Sequence, residues 1–94
     1  MSTQVIFKND LKIKLTPTEY KLLAVLIYNN GKTLSRLNIL DNVWGYTPER
    51  VIDTRIVDVH ISRLRTKIED DPRRPDLVIT VRGLGYMFQE YKSI

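Results

Sequence analysis

The chain has 94 residues, the size of one folded unit, and its 43% apolar and 28% charged content excludes collagen-like, low-complexity and wholly disordered chains. With no cysteine and one histidine it has neither disulfides nor the ligands of a dedicated zinc or iron centre, so no metal and no cofactor are expected. No apolar run approaches the roughly 20 residues that span a bilayer, and the start MSTQVIFKND lacks the order of a secretory signal, so a soluble protein of the cell interior is expected. Fifteen Lys and Arg against eleven Asp and Glu give a net charge of +4, which suits an anionic partner without identifying one.

The amino terminus alternates as a hairpin does. Val5-Ile6-Phe7 and Leu11 to Leu15 flank Asn9-Asp10, two residues that tolerate the positive φ of a tight turn, and two strands are expected within residues 4–15. Thr16-Pro17-Thr18-Glu19 is a helix start: an N-cap, a proline at the first helical position, and a glutamate that completes a capping box. Tyr20, Leu23, Ala24 and Ile27, with Leu22 and Leu26 beside them, predict a helix over about residues 17–30, ended by Asn29-Asn30-Gly31.

Ser35 caps a second, short helix over about 35–44, with Leu40, Val43 and Trp44 on its apolar side. Gly45 to Arg50 read as a loop. Either Asp53 or Thr54 caps the longest amphipathic element, a helix over about 52–69 whose inner side is Val57, Ile61, Leu64 and Ile68. Residues 70–76, with two prolines and no apolar side chain, form a loop. A hairpin over 77–89 follows, in which Leu77, Ile79 and Val81 face one way, Val78, Thr80 and Arg82 the other, and Gly83-Leu84-Gly85 turns the chain; residues 89–94 are expected to fray.

The whole is one α+β domain over residues 1–94: three helices, a short N-terminal sheet and a C-terminal hairpin, the layout of a winged helix-turn-helix. Opposite its apolar side, the third helix carries Arg55, Val59, Ser62 and Thr66, with Arg63 on one flank and Asp58 and Glu69 on the other. Small side chains let a helix approach base edges and arginines fork onto guanine or phosphate oxygens; the same stripe also reads as a solvated charged face. Arg82 beside two glycines suits a narrow minor groove, and Thr80 is either a phosphate donor or a plain strand residue. Trp44 is mainly a core aromatic whose indole N–H can reach a phosphate, and His60 combines a structural with a contact role. Asp58, His60 and Ser62 are no catalytic triad, because residues two apart on a helix point about 160° from one another, and the glycines form no phosphate-binding loop; no enzyme is expected.

Four segments in order, LTPTEYKLL at 15–23, SRLNILDNVWGY at 35–46, RIVDVHISRLRTKIEDDP at 55–72 and TVRGLGYMF at 80–88, resemble the C-terminal effector domain of OmpR/PhoB-type response regulators, the output modules of two-component signalling. WGYTPERVIDTRIVDVHISRLR with EDDP looks more narrowly like the cyanobacterial and red-algal plastid regulators associated with phycobilisomes. The resemblance implies sequence-specific double-stranded DNA binding, with the third helix in the major groove and the wing at the minor groove. It implies phosphate contacts from Trp44, Arg55, His60 and Arg65, base contacts from Arg63, with Ser62 and Thr66 on the same face, and wing contacts from Thr80 and Arg82. The loop with Gly45, Tyr46, Thr47, Glu49 and Arg50 is implied to contact RNA polymerase. A monomer free in solution, a head-to-tail dimer on tandem repeats and a receiver domain outside this chain are implied as well, in the cytoplasm or a plastid stroma. The alternative is a protein-interaction module that contacts polymerase or a partner regulator without reading DNA. The chain departs from the pattern at Ser62, where many relatives have arginine, at Leu37, where an acid is common, and in having two strands before Thr16 instead of four.

Overall fold

The computed structural model describes residues 4–45 and 53–90. Strands β1 (Gln4–Lys8) and β2 (Leu11–Leu15) pair antiparallel around Asn9 and Asp10, whose φ values of 50° and 68° are those of the expected turn. Ile6 pairs with Ile13 against the core, while Val5 and Phe7 face outward opposite Lys14 and Lys12. Leu15, fully buried, carries the chain inward.

Thr16 caps α1 (Pro17–Tyr28) through both bonds of the expected box: the Glu19 N–H donates to the Thr16 hydroxyl at 3.1 Å and the Thr16 N–H to the Glu19 carboxylate at 2.9 Å. The helix ends at Tyr28, two residues early, because Asn29 to Gly31 form a turn with Gly31 at φ 81°. Its buried side also differs from the expected stripe: Glu19, Leu22, Leu23 and Leu26 point inward, while Tyr20, Ala24 and Ile27 are exposed. The segment is apolar nearly all round, so periodicity selects no face; on the side that is buried, the Glu19 carboxylate accepts from Lys67.

Helix α2 (Arg36–Trp44) starts where Ser35 accepts the Asn38 N–H at 3.1 Å and stops at Gly45, which is left-handed with φ 74°. Helix α3 (Arg55–Ile68) begins three residues later than expected. Thr54 occupies the cap position in a helical conformation that keeps its hydroxyl from bonding the first turn, and Asp53 instead accepts the Arg55 N–H at 2.9 Å. Val57, Ile61 and Leu64 are fully buried and Ile68 nearly so, as the periodicity predicts. At the other end the Lys8 ammonium donates to the Ile68 carbonyl at 2.6 Å, a cation where the helix dipole is negative. Glu69, expected on the outer flank, is buried: the chain turns inward there, and the carboxylate accepts the backbone N–H groups of Asp76, Leu77 and Val78 at 2.8 to 3.1 Å.

The wing is β3 (Val78–Val81) and β4 (Gly85–Phe88), paired from Val78 with Phe88 to Val81 with Gly85. Its root is core, with Val78, Tyr86 and Phe88 buried, and its tip from Arg82 to Leu84 is exposed. The face expected to point outward is therefore divided, Val78 inside the domain and Thr80 beyond its edge. Leu34 and Tyr86 exchange backbone bonds of 2.8 and 2.9 Å, adding a third strand-like segment to the root. That approach requires glycine at 85, since a Cβ there would stand 2.0 Å from the Leu34 carbonyl oxygen. Among the described residues no helix is long and apolar enough to cross a membrane.

Candidate nucleic-acid interface

Helix α3 divides cleanly into two sides. Away from its buried residues, Arg55, Val59, Ser62, Arg63 and Thr66 are all exposed, Val59 to 47%. Among the described residues Arg63 has no ion-pair partner, so its guanidinium is available to a ligand. Arg55 is held by Asp53, with Nε to Oδ2 at 2.8 Å, and this bond keeps the Asp53 carboxyl below its ordinary value. The Thr66 hydroxyl donates to the Ser62 carbonyl at 3.0 Å, so its proton stays within the helix and its oxygen and methyl remain for an outside partner. The apolar Val59 among short polar side chains makes a low surface that a flat, partly apolar partner can approach.

On one edge of this face the Trp44 and His60 rings meet edge to face, centroids 5.0 Å apart. Trp44 packs half-buried against the core, the structural part of its expected role. His60 Nδ1 lies 2.9 Å from the Ile56 carbonyl, which makes Nδ1 the donor; the neutral ring then presents only a lone pair at Nε2, and an N–H there requires the imidazolium.

The opposite edge meets the wing. Arg65 donates from Nε and Nη2 to the Val78 carbonyl at 3.0 and 2.8 Å and from Nη2 to the Thr80 hydroxyl at 2.8 Å, and its guanidinium lies 5.6 Å from the Tyr86 ring centroid. The structure thus gives Arg65 the work of joining α3 to β3, with most of its donors turned inward. Thr80, by accepting from Arg65, keeps its own proton free to donate outward. Arg82 sits exposed at the wing tip next to Leu84, which is 67% exposed.

Two residues that sequence reasoning missed complete this edge. Asp58 Oδ1 accepts from Arg36 Nε at 2.9 Å and from the Tyr86 hydroxyl at 2.5 Å. Burial, then the bond to Asp58, pushes the Tyr86 hydroxyl above its ordinary value, and the same carboxylate raises Arg36. These partners lie 22 and 28 residues from Asp58, so no short-range pattern signals them. Between the start of α2 and the wing lies a groove of about 420 Å³ lined by Arg36, Thr54, Thr80, Gly83 and Tyr86. Of the loop expected to meet polymerase, only Gly45 is described; Tyr46, Thr47, Glu49 and Arg50 fall outside the described residues. Among the described residues no group of three His, Asp or Glu side chains could hold a metal ion.

With this geometry in view, residues 10–88 match the model of the family described as "Transcriptional regulatory protein, C terminal". The chain belongs to that family. It is the effector domain of a transcription regulator of the OmpR/PhoB type, and its relatives are regulators, not enzymes. The probable transcriptional regulator ycf27 of the red alga Galdieria sulphuraria is 58% identical over 89 residues, covering 95% of this chain and 35% of the relative. The effector domain here thus spans about a third of the length of that relative. The response regulator DrrB of Thermotoga maritima, an OmpR/PhoB homologue, superposes with a TM-score of 0.82 at 37% identity, over 92% of this chain and 38% of DrrB. The DNA-binding domain of Klebsiella pneumoniae RstA, solved in complex with the RstA box, gives a TM-score of 0.79 at 32% identity, over 90% of this chain and 82% of that one.

Proposed function

We propose that this effector domain reads double-stranded DNA by sequence, with α3 in the major groove and the wing at the adjacent minor groove. The observation that carries the reading is the outer side of α3: an Arg63 with no ion-pair partner among the described residues and an exposed Val59 among short side chains, on a helix whose pose is fixed by four buried residues. Arg63 forks onto guanine, and Val59 rests on a thymine methyl, an apolar contact that explains an otherwise exposed valine. Ser62 and Thr66 sit close to the same base edges. Arg55, released from Asp53, and the Trp44–His60 edge contact phosphates and set the register. Thr80 donates to a phosphate and Arg82 enters the minor groove, while Arg65 acts mainly by holding the wing. The RstA complex supports this use of the fold.

On the same reading, two copies bind tandem direct repeats head to tail, since DNA supplies the repeated register without two-fold symmetry. The loop from Gly45 contacts RNA polymerase, a receiver domain controls the output, and the algal relative favours a plastid stroma over a bacterial cytoplasm.

The test is fluorescence anisotropy with a tandem-repeat duplex recovered from a random pool and a scrambled duplex of equal length, titrated over about 50 to 200 mM salt. Preference for the repeat, with affinity falling along a linear log–log salt plot, is expected. Equal or absent binding to both would overturn DNA reading and leave a protein-interaction module, recognised by binding to polymerase alone.

A further inference from the structure

We infer that Asp58 is a positioning residue that sets the wing at a fixed distance and tilt from α3, and thereby makes the Arg82 contact available; this rests on the proposed DNA reading. The wing is joined to α3 by two side-chain ties on one flank of the helix. Arg65 holds β3 through the Val78 carbonyl and the Thr80 hydroxyl. Asp58 holds β4 through the Tyr86 hydroxyl. The two residues are seven apart, hence two turns and about 10 Å along the axis, so together they constrain the angle between wing and helix as well as their separation. They act beside the buried root and its backbone bonds to Leu34, and they are the side-chain bonds that run from α3 to each strand of the wing.

Asp58 adds a third element. The oxygen that accepts from Tyr86 also accepts from Arg36 at the first turn of α2, so α2, α3 and the wing converge on one carboxylate. A carboxylate beside a polyanion is costly, and the Arg36 guanidinium offsets that cost while leaving the acceptor in place. Tyr86 is a fitting anchor: its backbone is paired with Leu34, its ring lies beside Arg65, and its hydroxyl carries the bond to Asp58. Beyond this root nothing in the described residues braces the exposed tip that carries Arg82. Its reach into a groove therefore depends on how the root is held.

The chain has no cysteine, so nitroxide labels at Ser62→Cys and Leu84→Cys report the distance from the reading face to the wing tip in the free protein. A narrow distribution is expected for the parent and a broadened one for both Asp58→Ala and Tyr86→Phe; the latter removes only the hydroxyl and serves if the former fails to fold. Unchanged widths in Tyr86→Phe overturn the inference whatever happens on DNA. On the selected duplex, loss of the Asp58–Tyr86 bond is expected to weaken binding about three- to tenfold when Arg82 is present and less than about twofold in an Arg82→Ala background, with base preferences under α3 unchanged. Equal losses in both backgrounds would place Asp58 in the pose of α3 itself and also overturn it. A parent chain that selects no sequence defeats the DNA reading instead, and the label distances then decide whether Asp58 sets the wing.

Discussion

Arg63 and Arg55 are both exposed cations on α3, yet their surroundings differ. Among the described residues Arg63 has no ion-pair partner and stands beside short side chains, whereas Arg55 lies at the helix start in a bond with Asp53. Arg63→Ala is expected to cost about 1–3 kcal/mol on the selected site and to relax base preference, while Arg55→Ala weakens all duplexes alike and lowers the salt slope by about one. Anisotropy on specific and random DNA separates the two, and equal losses for both variants on both duplexes would refute the division. On the proposed reading Asp53 competes with phosphate for Arg55 and adds a negative charge at the interface, so Asp53→Asn is expected to tighten binding to every duplex by a similar factor, with the largest gain at low salt. At this scale the sequence was legible where neighbouring residues form a known pattern: the box of Thr16 and Glu19 is read straight from four consecutive residues. Asp58 and Arg36 were not legible, because their meaning lies in contacts more than twenty residues away.

Elements are placed by polar ties as much as by apolar stripes. Glu69 is the clearest instance: past the end of α3, its buried carboxylate gathers three consecutive backbone N–H groups and aims the chain into β3. Glu69→Gln replaces one acceptor oxygen with a donor that meets N–H groups, and is expected to destabilise the domain by about 2–3 kcal/mol in urea unfolding. In sequence it looked like one more charge on an amphipathic helix, since nothing local shows that the backbone turns there. The rotation of α1 was equally hidden, because a helix apolar on most sides buries whichever face its ties select. For Glu19, burial works to raise the carboxyl, but the bonds from Lys67 and Thr16 outweigh it and hold it below the ordinary 4.5. Its ionised form therefore stabilises the fold above that value, and the contribution is lost as pH falls through the lower, folded value. Thermal unfolding between about pH 6 and 3 is expected to show a shallower loss of stability in Glu19→Gln than in the parent.

Across the molecule, the order of elements and the main core residues follow from hydrophobic periodicity and turn chemistry, and the amphipathic side of α3 was identified correctly from spacing alone. What spacing could not supply is how the wing stands against that helix, which depends on Gly85, Leu34 and the side chains around Tyr86. The consequence reaches beyond a single operator. On α3 the residues that fasten the helix, Val57, Ile61, Leu64 and Ile68, share no position with those that face outward, Arg55, Val59, Ser62, Arg63 and Thr66. If that outward strip reads DNA as proposed, changes in target preference accumulate without a toll on folding. Replacing Val59, Ser62 and Thr66 together is expected to leave the unfolding midpoint nearly unchanged while redirecting the sequences recovered from a random pool. On the proposed reading, a lineage rewires which genes it controls by editing one exposed strip, while the fastened side is inherited intact.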